Sequence, residues 1–271
     1  MIIKTLIDDQ ALDGYAYEHG LSYWISVNGK NILFDLGQSG LFLENARRMG
    51  VHIASVDLVV ISHAHNDHGG GLRAFLNAND HAPVYLRRNA FERYYARRES
   101  GFIEDIALDQ DLRDHPRLVF TDEVFQIADG LTLFSGVTGR KLFSPANHVL
   151  LMNGGNTPDI FSHEQNLIIA EKDQRILLAG CAHNGIVNIL SRYAQIDPHP
   201  LTAVIGGFHL SIPRSGGQIP EVLVDRIAER LLSGSAQYYT GHCTGLPAFA
   251  RLEQRMGNRI KYLPAGSELI F

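Results

Sequence analysis

At 271 residues, 45% of them hydrophobic, the chain can bury the core of one large α/β domain or two small ones. With a net charge of −5 and no long Lys/Arg run, nucleic acid is not an obvious partner, because phosphate-backbone binding needs a concentrated basic face. No apolar run approaches the roughly 18 to 20 residues that span a bilayer, the acidic start (Asp8, Asp9, Asp13) does not resemble a signal peptide, and two cysteines are too few for a disulfide framework. The expectation is a cytoplasmic protein with a small-molecule partner and neither membrane nor nucleic-acid contacts; a homo-oligomer is compatible with it.

The chain alternates short strands with amphipathic helices. Residues 23–27 and 31–35 predict a hairpin turned by Asn28-Gly29. Residues 41–49 have helical spacing, closed by Gly50. The apolar run 56–61 predicts a buried strand leading into His63, His65, Asp67 and His68, after which Gly69, Gly70 and Gly71 let the backbone turn into a helix at 72–76. A strand at 83–86 follows. The charged, weakly periodic stretch 88–117 reads as exposed helical turns and loop, a lid or covering element. Strands are expected at 118–120 and 131–134, and the loop-rich 139–165 is expected to border a substrate cleft.

The second half echoes the first. Strands at 167–170 and 175–178 lead into Cys181-Ala182-His183-Asn184, which matches His63-Ala64-His65-Asn66 at a strand exit. A helix at 186–193, a strand at 203–205 ending in Gly206-Gly207-Phe208-His209, a helix from Pro220 with Val222, Val224, Ile227 and Leu231 on its apolar side, and a strand at 237–240 ending in Gly241-His242-Cys243 complete the chain. Four strands thus end in histidine-bearing, glycine-flanked loops, the arrangement in which ligands gather at carboxyl edges.

Alternate side chains in an extended strand exit share a face, so His63 and His65 point the same way. With His183 they would give one divalent ion three nitrogens; Asp67, His68 and His242 would give a second ion one carboxylate and two nitrogens. Three protein ligands and an open position are the pattern of a catalytic metal site. Cys181 is either a thiolate ligand or a small buried thiol. Cys243 is expected to point away from His242, as strand neighbours do. His209 is expected at the site as ligand, proton donor or substrate contact, and His163 is a weaker candidate because no glycine turn precedes it. His19, His52, His81, His115, His148 and His199 are scattered and read as ordinary.

His63-Ala64-His65-Asn66-Asp67-His68 resembles the H-x-H-x-D-H signature of the metallo-β-lactamase superfamily, and Phe34-Asp35-Leu36-Gly37 its upstream F-D-x-G element. Gly180-Cys181-Ala182-His183, Gly206-Gly207-Phe208-His209-Leu210 and Thr240-Gly241-His242-Cys243-Thr244-Gly245 resemble the branch that includes dihydropterin-ribofuranosylaminobenzene-5′-phosphate synthases. The resemblance implies a single α/β (α+β) domain over 1–271, a four-layer αβ/βα sandwich with the metal centre at one edge. It also implies that His183 replaces a histidine usually found in a G-H-T loop, that Cys181 stands at the usual bridging-aspartate position, and that Asp35 accepts the outer N–H of a ligand histidine. Zinc suits the donor set, in one or two ions; iron, manganese or nickel also fit imidazole.

Metal binding lowers the pKa of water toward about 7, so the expected activity is hydrolysis through a metal-bound hydroxide of a small anionic phosphoester, ester or lactone. Asp67 and His209 are the expected catalytic residues, and Ser211, Arg214 and Lys141 candidate substrate contacts. A pterin-forming transferase releasing pyrophosphate and a non-catalytic metal sensor are the alternatives. Neither G-x-S-x-G, a P-loop, G-x-G-x-x-G nor C-x-x-C occurs in the chain.

Overall fold

The computed structural model describes residues 1–212 and 219–271. Two seven-stranded mixed sheets form its centre. In the first, the order is Glu268–Ile270, Ile2–Ile7, Ser22–Val27, Lys30–Phe34, Leu58–Val60, Val84–Arg87, Leu118–Thr121. In the second it is Ile260–Tyr262, Gln237–Thr240, Ala203–Ile205, Gln174–Leu178, Asn166–Glu171, Leu131–Phe134, Val124–Ala128. Each sheet contains an antiparallel hairpin followed by parallel strands.

Period-two alternation decides which core each side chain enters. Ile32, Phe34, Leu58 and Val60 from the first sheet meet Ile176, Leu178, Ala203 and Ile205 from the second in a shared central core. Their neighbours Leu33 and Val59 turn outward to Phe42 and Phe75, on the helices Leu41–Arg48 and Leu72–Ala78. On the other side Leu177 and Val204 turn toward the helices Ile186–Ile196, Glu221–Leu232 and Leu246–Met256. Helix, sheet, sheet and helix are the four layers expected. No helix among the described residues is long and apolar enough to cross a membrane.

Asn28 and Gly29 both adopt positive φ (51° and 71°), the paired left-handed turn that their sequence predicts. Several expectations change. The opening strand Ile2–Ile7 and the strand Val124–Ala128 were not anticipated. The 88–117 region is not helical: Tyr94–Arg97 and Ile103–Asp105 pair as a hairpin, joined by Leu150–Met152 and Thr157–Pro158 into a small third sheet. Its alternation of Tyr94 and Ala96 (buried) with Arg97 (exposed) is a strand signal hidden by the surrounding charge. Val222 is 69% exposed, so the apolar stripe of its helix begins at Val224.

Gly70 and Gly71 have ordinary helical φ values (−62° and −71°). Their role is close packing instead of turning: a Cβ would lie 2.2 Å from the Gln38 carbonyl oxygen at Gly70 and 2.3 Å from that of Leu36 at Gly71. The internal echo is also offset. By sheet order, the hairpin strand Gln174–Leu178 occupies the place of Lys30–Phe34, so the counterpart of the His63 exit is Gly206-Gly207-Phe208-His209.

Candidate metal centre

Four strand ends converge at one edge of the sheets. Leu58–Val60 leads to His63 and His65 and to the short helix Asn66–Gly69 with Asp67 and His68; Gln174–Leu178 leads to Cys181 and His183; Ala203–Ile205 to His209; Gln237–Thr240 to the single turn His242–Thr244. Every one of these histidines and Cys181 is buried, and Asp67 is half-buried. The backbone enters the left-handed region at Asp35 (φ 61°), Ala182 (53°), His209 (48°) and His242 (44°). Such conformations are unfavourable for side chains with a Cβ and collect at functional sites.

The hydrogen-bond network fixes which ring nitrogens face inward. Ser62 Oγ donates to Asp35 Oδ2 (2.7 Å) and lies 2.9 Å from His63 Nδ1, which must then donate to it. His68 Nδ1 donates to Asp35 Oδ2 (2.7 Å), His183 Nδ1 to Asn147 Oδ1 (3.0 Å) and His242 Nδ1 to Asp9 Oδ1 (2.6 Å). With the outer protons held, Nε2 of His63, His68 and His183 presents a lone pair inward, and Nε2 of His242 faces Asp67. These nitrogens face each other: His63 and His183 Nε2 are 3.2 Å apart, His68 and His242 Nε2 3.1 Å. Asp67 Oδ2 lies 3.2 Å from His242 Nε2, and Cys181 Sγ 3.1 Å from His68 Nε2. Nitrogens this close repel unless a proton or a metal ion stands between them, and the clustering of imidazole, carboxylate and thiol donors within 4.8 Å of one another fits bound divalent metal. Imidazole with one carboxylate and one sulfur suits zinc and its neighbours.

His65 is oriented the other way round. Its Nε2 faces Asp159 Oδ2 at 3.4 Å, and Asp159 Oδ2 also accepts from His163 Nε2 at 3.0 Å. His163 Nδ1 in turn accepts the backbone N–H of Ala64 (3.0 Å), between the two histidines of the motif.

The electrostatics point the same way. Burial, reinforced by His68 and His65, pushes His63 well below the usual histidine range, and burial with His209 and His63 does so for His183. These rings are neutral donors. At His242 burial opposes charge, but Asp9 and Asp67 outweigh it and push the ring well above its usual range. Asp67, despite burial, is held well below the usual carboxylate range by His68 and His242. The Asp67–His242 half thus favours added positive charge.

The structure brings His63, His65, Asp67, His68, Cys181, His183 and His242 together, with Asp35 behind His63 and His68 and His209 beside His183 (ring centroids 4.2 Å apart). Ser211 donates its hydroxyl to the Cys243 carbonyl (2.9 Å), and neither it nor Lys141 lines the cavity. Arg214 lies outside the described residues. Sequence reading missed several neighbours of the cluster, Asn147 beside His183 among them. Asp9 and His19 sit beside His242, with His19 Nδ1 2.9 Å from Asp9 Oδ2 and Nε2 3.4 Å from Asp67 Oδ2. Two acids directly after an alternating strand, at Asp8 and Asp9, were the available signal. Asp159 gave none, being the partner of rings reached only through the fold. Cys243 turns toward Cys181 because residues 242–244 form a helical turn, so neighbours do not alternate.

Above the cluster opens a cavity of about 660 Å³, floored by His65, Asp67, Cys181, His183, His209 and Cys243. Arg97, Arg98 and Glu104 from the hairpin, and His148 to Leu150 from the loop-rich stretch, form its walls. The covering role expected of 88–117 is therefore present in another secondary structure, and His148, read as ordinary, lines the site.

The Metallo-beta-lactamase superfamily model matches residues 17–156, just over half of the chain. A 7,8-dihydropterin-6-methyl-4-(beta-D-ribofuranosyl)-aminobenzene-5′-phosphate synthase from Methanocaldococcus jannaschii is 28% identical over 290 aligned positions, covering 99% of this chain and 96% of that one. The crystal structure of Tm1679, described as a metal-dependent hydrolase of the beta-lactamase superfamily, superimposes with a TM-score of 0.81 at 26% identity, covering 100% and 99% of the two chains. A diphosphatase of the PhnP family shares the fold at a TM-score of 0.55 and 13% identity, covering 100% of this chain and 97% of that one. The chain belongs to the metallo-beta-lactamase superfamily.

Proposed function

We propose that this superfamily member is a cytoplasmic, zinc-dependent hydrolase with a dinuclear centre, acting on a small anionic substrate that carries a phosphoester, carboxylic ester or lactone. The observation that carries this reading is the facing of inward-turned Nε2 atoms at 3.1 and 3.2 Å at the floor of the cavity. His63, His65 and His183 are the ligands of one position, Asp67, His68 and His242 of the other, with Cys181 between them. Bound divalent metal supplies Lewis-acid polarisation of the scissile group and a lowered pKa for water.

The chain's own groups do the rest. Asp35, Asn147, Asp9 and Asp159 hold the outer protons of the ligand rings, so each ring keeps its inward lone pair. Arg98 is paired with Glu104, which leaves Arg97 as the cation on the cavity wall that favours an anionic group on the substrate. A cavity of about 660 Å³ holds a molecule much larger than one phosphate group. The free, buried thiols Cys181 and Cys243 suit a compartment that keeps cysteines reduced.

A second reading rests on the synthase likeness along almost the whole chain: a transferase that displaces pyrophosphate from a pterin-methyl diphosphate. The deciding experiment measures metal content and turnover of generic phosphodiesters, aryl esters and lactones, with product analysis in ¹⁸O-labelled water. Label in the product supports hydrolysis; unlabelled product with released pyrophosphate supports the transferase. His65→Ala and Asp67→Ala should abolish either activity in folded protein. Retained turnover in both variants would remove the proposed site.

A further inference from the structure

Every other histidine at the cluster has a nitrogen held by a carboxylate, carbonyl, hydroxyl or amide, but His209 has none. Its ring is 4% exposed, and both Nδ1 and Nε2 are buried without a hydrogen-bond partner. A buried imidazole with two unsatisfied nitrogens is costly unless something absent from the protein chain meets it. Near that ring lie the two cysteines of the chain. Cys181 Sγ, Cys243 Sγ and one His209 nitrogen are all within 4.8 Å of one another, and all three residues line the cavity.

Local construction brings the sulfur there. Gly207 has no Cβ, and one would lie 2.4 Å from Cys243 Sγ, so only glycine lets the thiol approach the loop bearing His209. The backbone N–H of His209 points at the same sulfur, 3.3 Å away, and the thiol in turn lies 3.6 Å from the Cys181 carbonyl oxygen. Neither sulfur is in a disulfide. The combination is two soft donors, one unpartnered imidazole nitrogen and an open side facing the cavity.

We propose that Cys181, Cys243 and His209 form a third metal subsite, for a thiophilic cation such as zinc or copper(I), next to the His/Asp centre. The inference shares only Cys181 with the proposed hydrolase site, and a thiolate sulfur has lone pairs enough to bridge two ions. Tetrahedral zinc, with Zn–S near 2.3 Å and Zn–N near 2.0–2.1 Å, sets its donors roughly 3.5–3.8 Å apart. The three donors lie within 4.8 Å of one another, so closing by up to about 1 Å reaches that spacing. Sulfur donors select soft ions over magnesium or calcium. Each thiol that ligates releases its proton to solvent on binding.

Cadmium(II) is the probe, added to protein purified under reducing conditions, with equivalents bound read by elemental analysis and thiolate ligation by near-ultraviolet charge-transfer absorption. The wild type should retain one more equivalent than Cys243→Ala or His209→Ala, and Cys243→Ala should lose about half of the thiolate absorbance. Asp67→Ala should lose metal from the His/Asp centre while keeping the Cys243-dependent absorbance. Cys243→Ser serves as the second variant if alanine fails to fold. Unchanged stoichiometry and absorbance in both Cys243 and His209 variants would overturn the subsite and leave the hydrolase reading standing. So would a Cys181–Cys243 disulfide in the protein as purified. No cadmium uptake anywhere would remove both.

Discussion

Asp159 Oδ2 lies 3.4 Å from Nε2 of His65, and the same oxygen accepts from His163 at 3.0 Å. One carboxylate oxygen is thus shared by two buried rings. Burial opposes its charge, yet His163 and His65 hold Asp159 below the usual carboxylate range. Asp159 positions His65, the histidine of the cluster whose Nε2 turns outward to a carboxylate. Asp159→Ala should weaken metal binding by roughly 10- to 100-fold, as loss of an outer partner typically does, with the far-ultraviolet spectrum retained. Competition with a chelator measures it; an unchanged affinity would leave Asp159 a purely structural residue.

Asp35 accepts three hydrogen bonds at 2.7 Å, from Ser62 N, Ser62 Oγ and His68 Nδ1, and is fully buried. Asp35→Ala should cost about 2–4 kcal/mol of stability, because several buried donors lose their acceptor together. Asp35→Asn tolerates the left-handed backbone, so it isolates the lost charge and acceptor from backbone strain. Its stability should fall less, while metal retention falls nearly as far. Denaturant titration of the apo and loaded proteins separates the two effects.

Arg97 is exposed on the hairpin wall of the cavity, well placed for an anionic substrate group and unneeded for the core. Arg97→Ala should raise KM for phosphorylated substrates several-fold with kcat within about twofold, the pattern of lost uniform binding. The difference should shrink at high salt as screening weakens the wild-type attraction. Equal KM values at low salt would exclude Arg97 from substrate recognition.

Away from the site, Asp197 receives the His199 backbone N–H (3.0 Å) and the Arg175 Nε–H (3.1 Å). Partial burial raises its pKa, but these bonds and the His199 ring outweigh it and leave the carboxyl below its usual value. A depressed folded pKa stabilises above the unfolded value, and that contribution disappears as pH falls through the folded one. Asp197→Asn should therefore cost about 0.5 kcal/mol at neutral pH, the scale of exposed pairs. Thermal melts should show the gap between variant and wild type closing below roughly pH 4; a constant gap would assign it to packing.

Much of the cluster was legible because its histidines, Asp67 and Cys181 come in short runs behind apolar strands. His63 to His68 occupy six consecutive positions, and Cys181 and His183 follow a run of aliphatic residues. The partners were not legible. His19 looks like any loop histidine until the strand Ile2–Ile7 delivers Asp9 beside His242, and Asp159 reaches His65 across 94 residues of chain. The hairpin over the cavity was misread because its exposed face is dense with arginine and glutamate, which masks a two-residue alternation.

Local chemistry is a property of the sequence itself: glycine and asparagine make the Asn28-Gly29 turn, apolar alternation makes the strands, and clustered imidazoles mark a metal-binding chain. Which nitrogen of each ring faces inward, which carboxylate stands behind it, and that Cys243 faces His209 are decided only by the tertiary structure. Those relations depend on loops from separate strands meeting at one sheet edge, and hydrogen bonds between residues distant in sequence exist only once that edge is assembled.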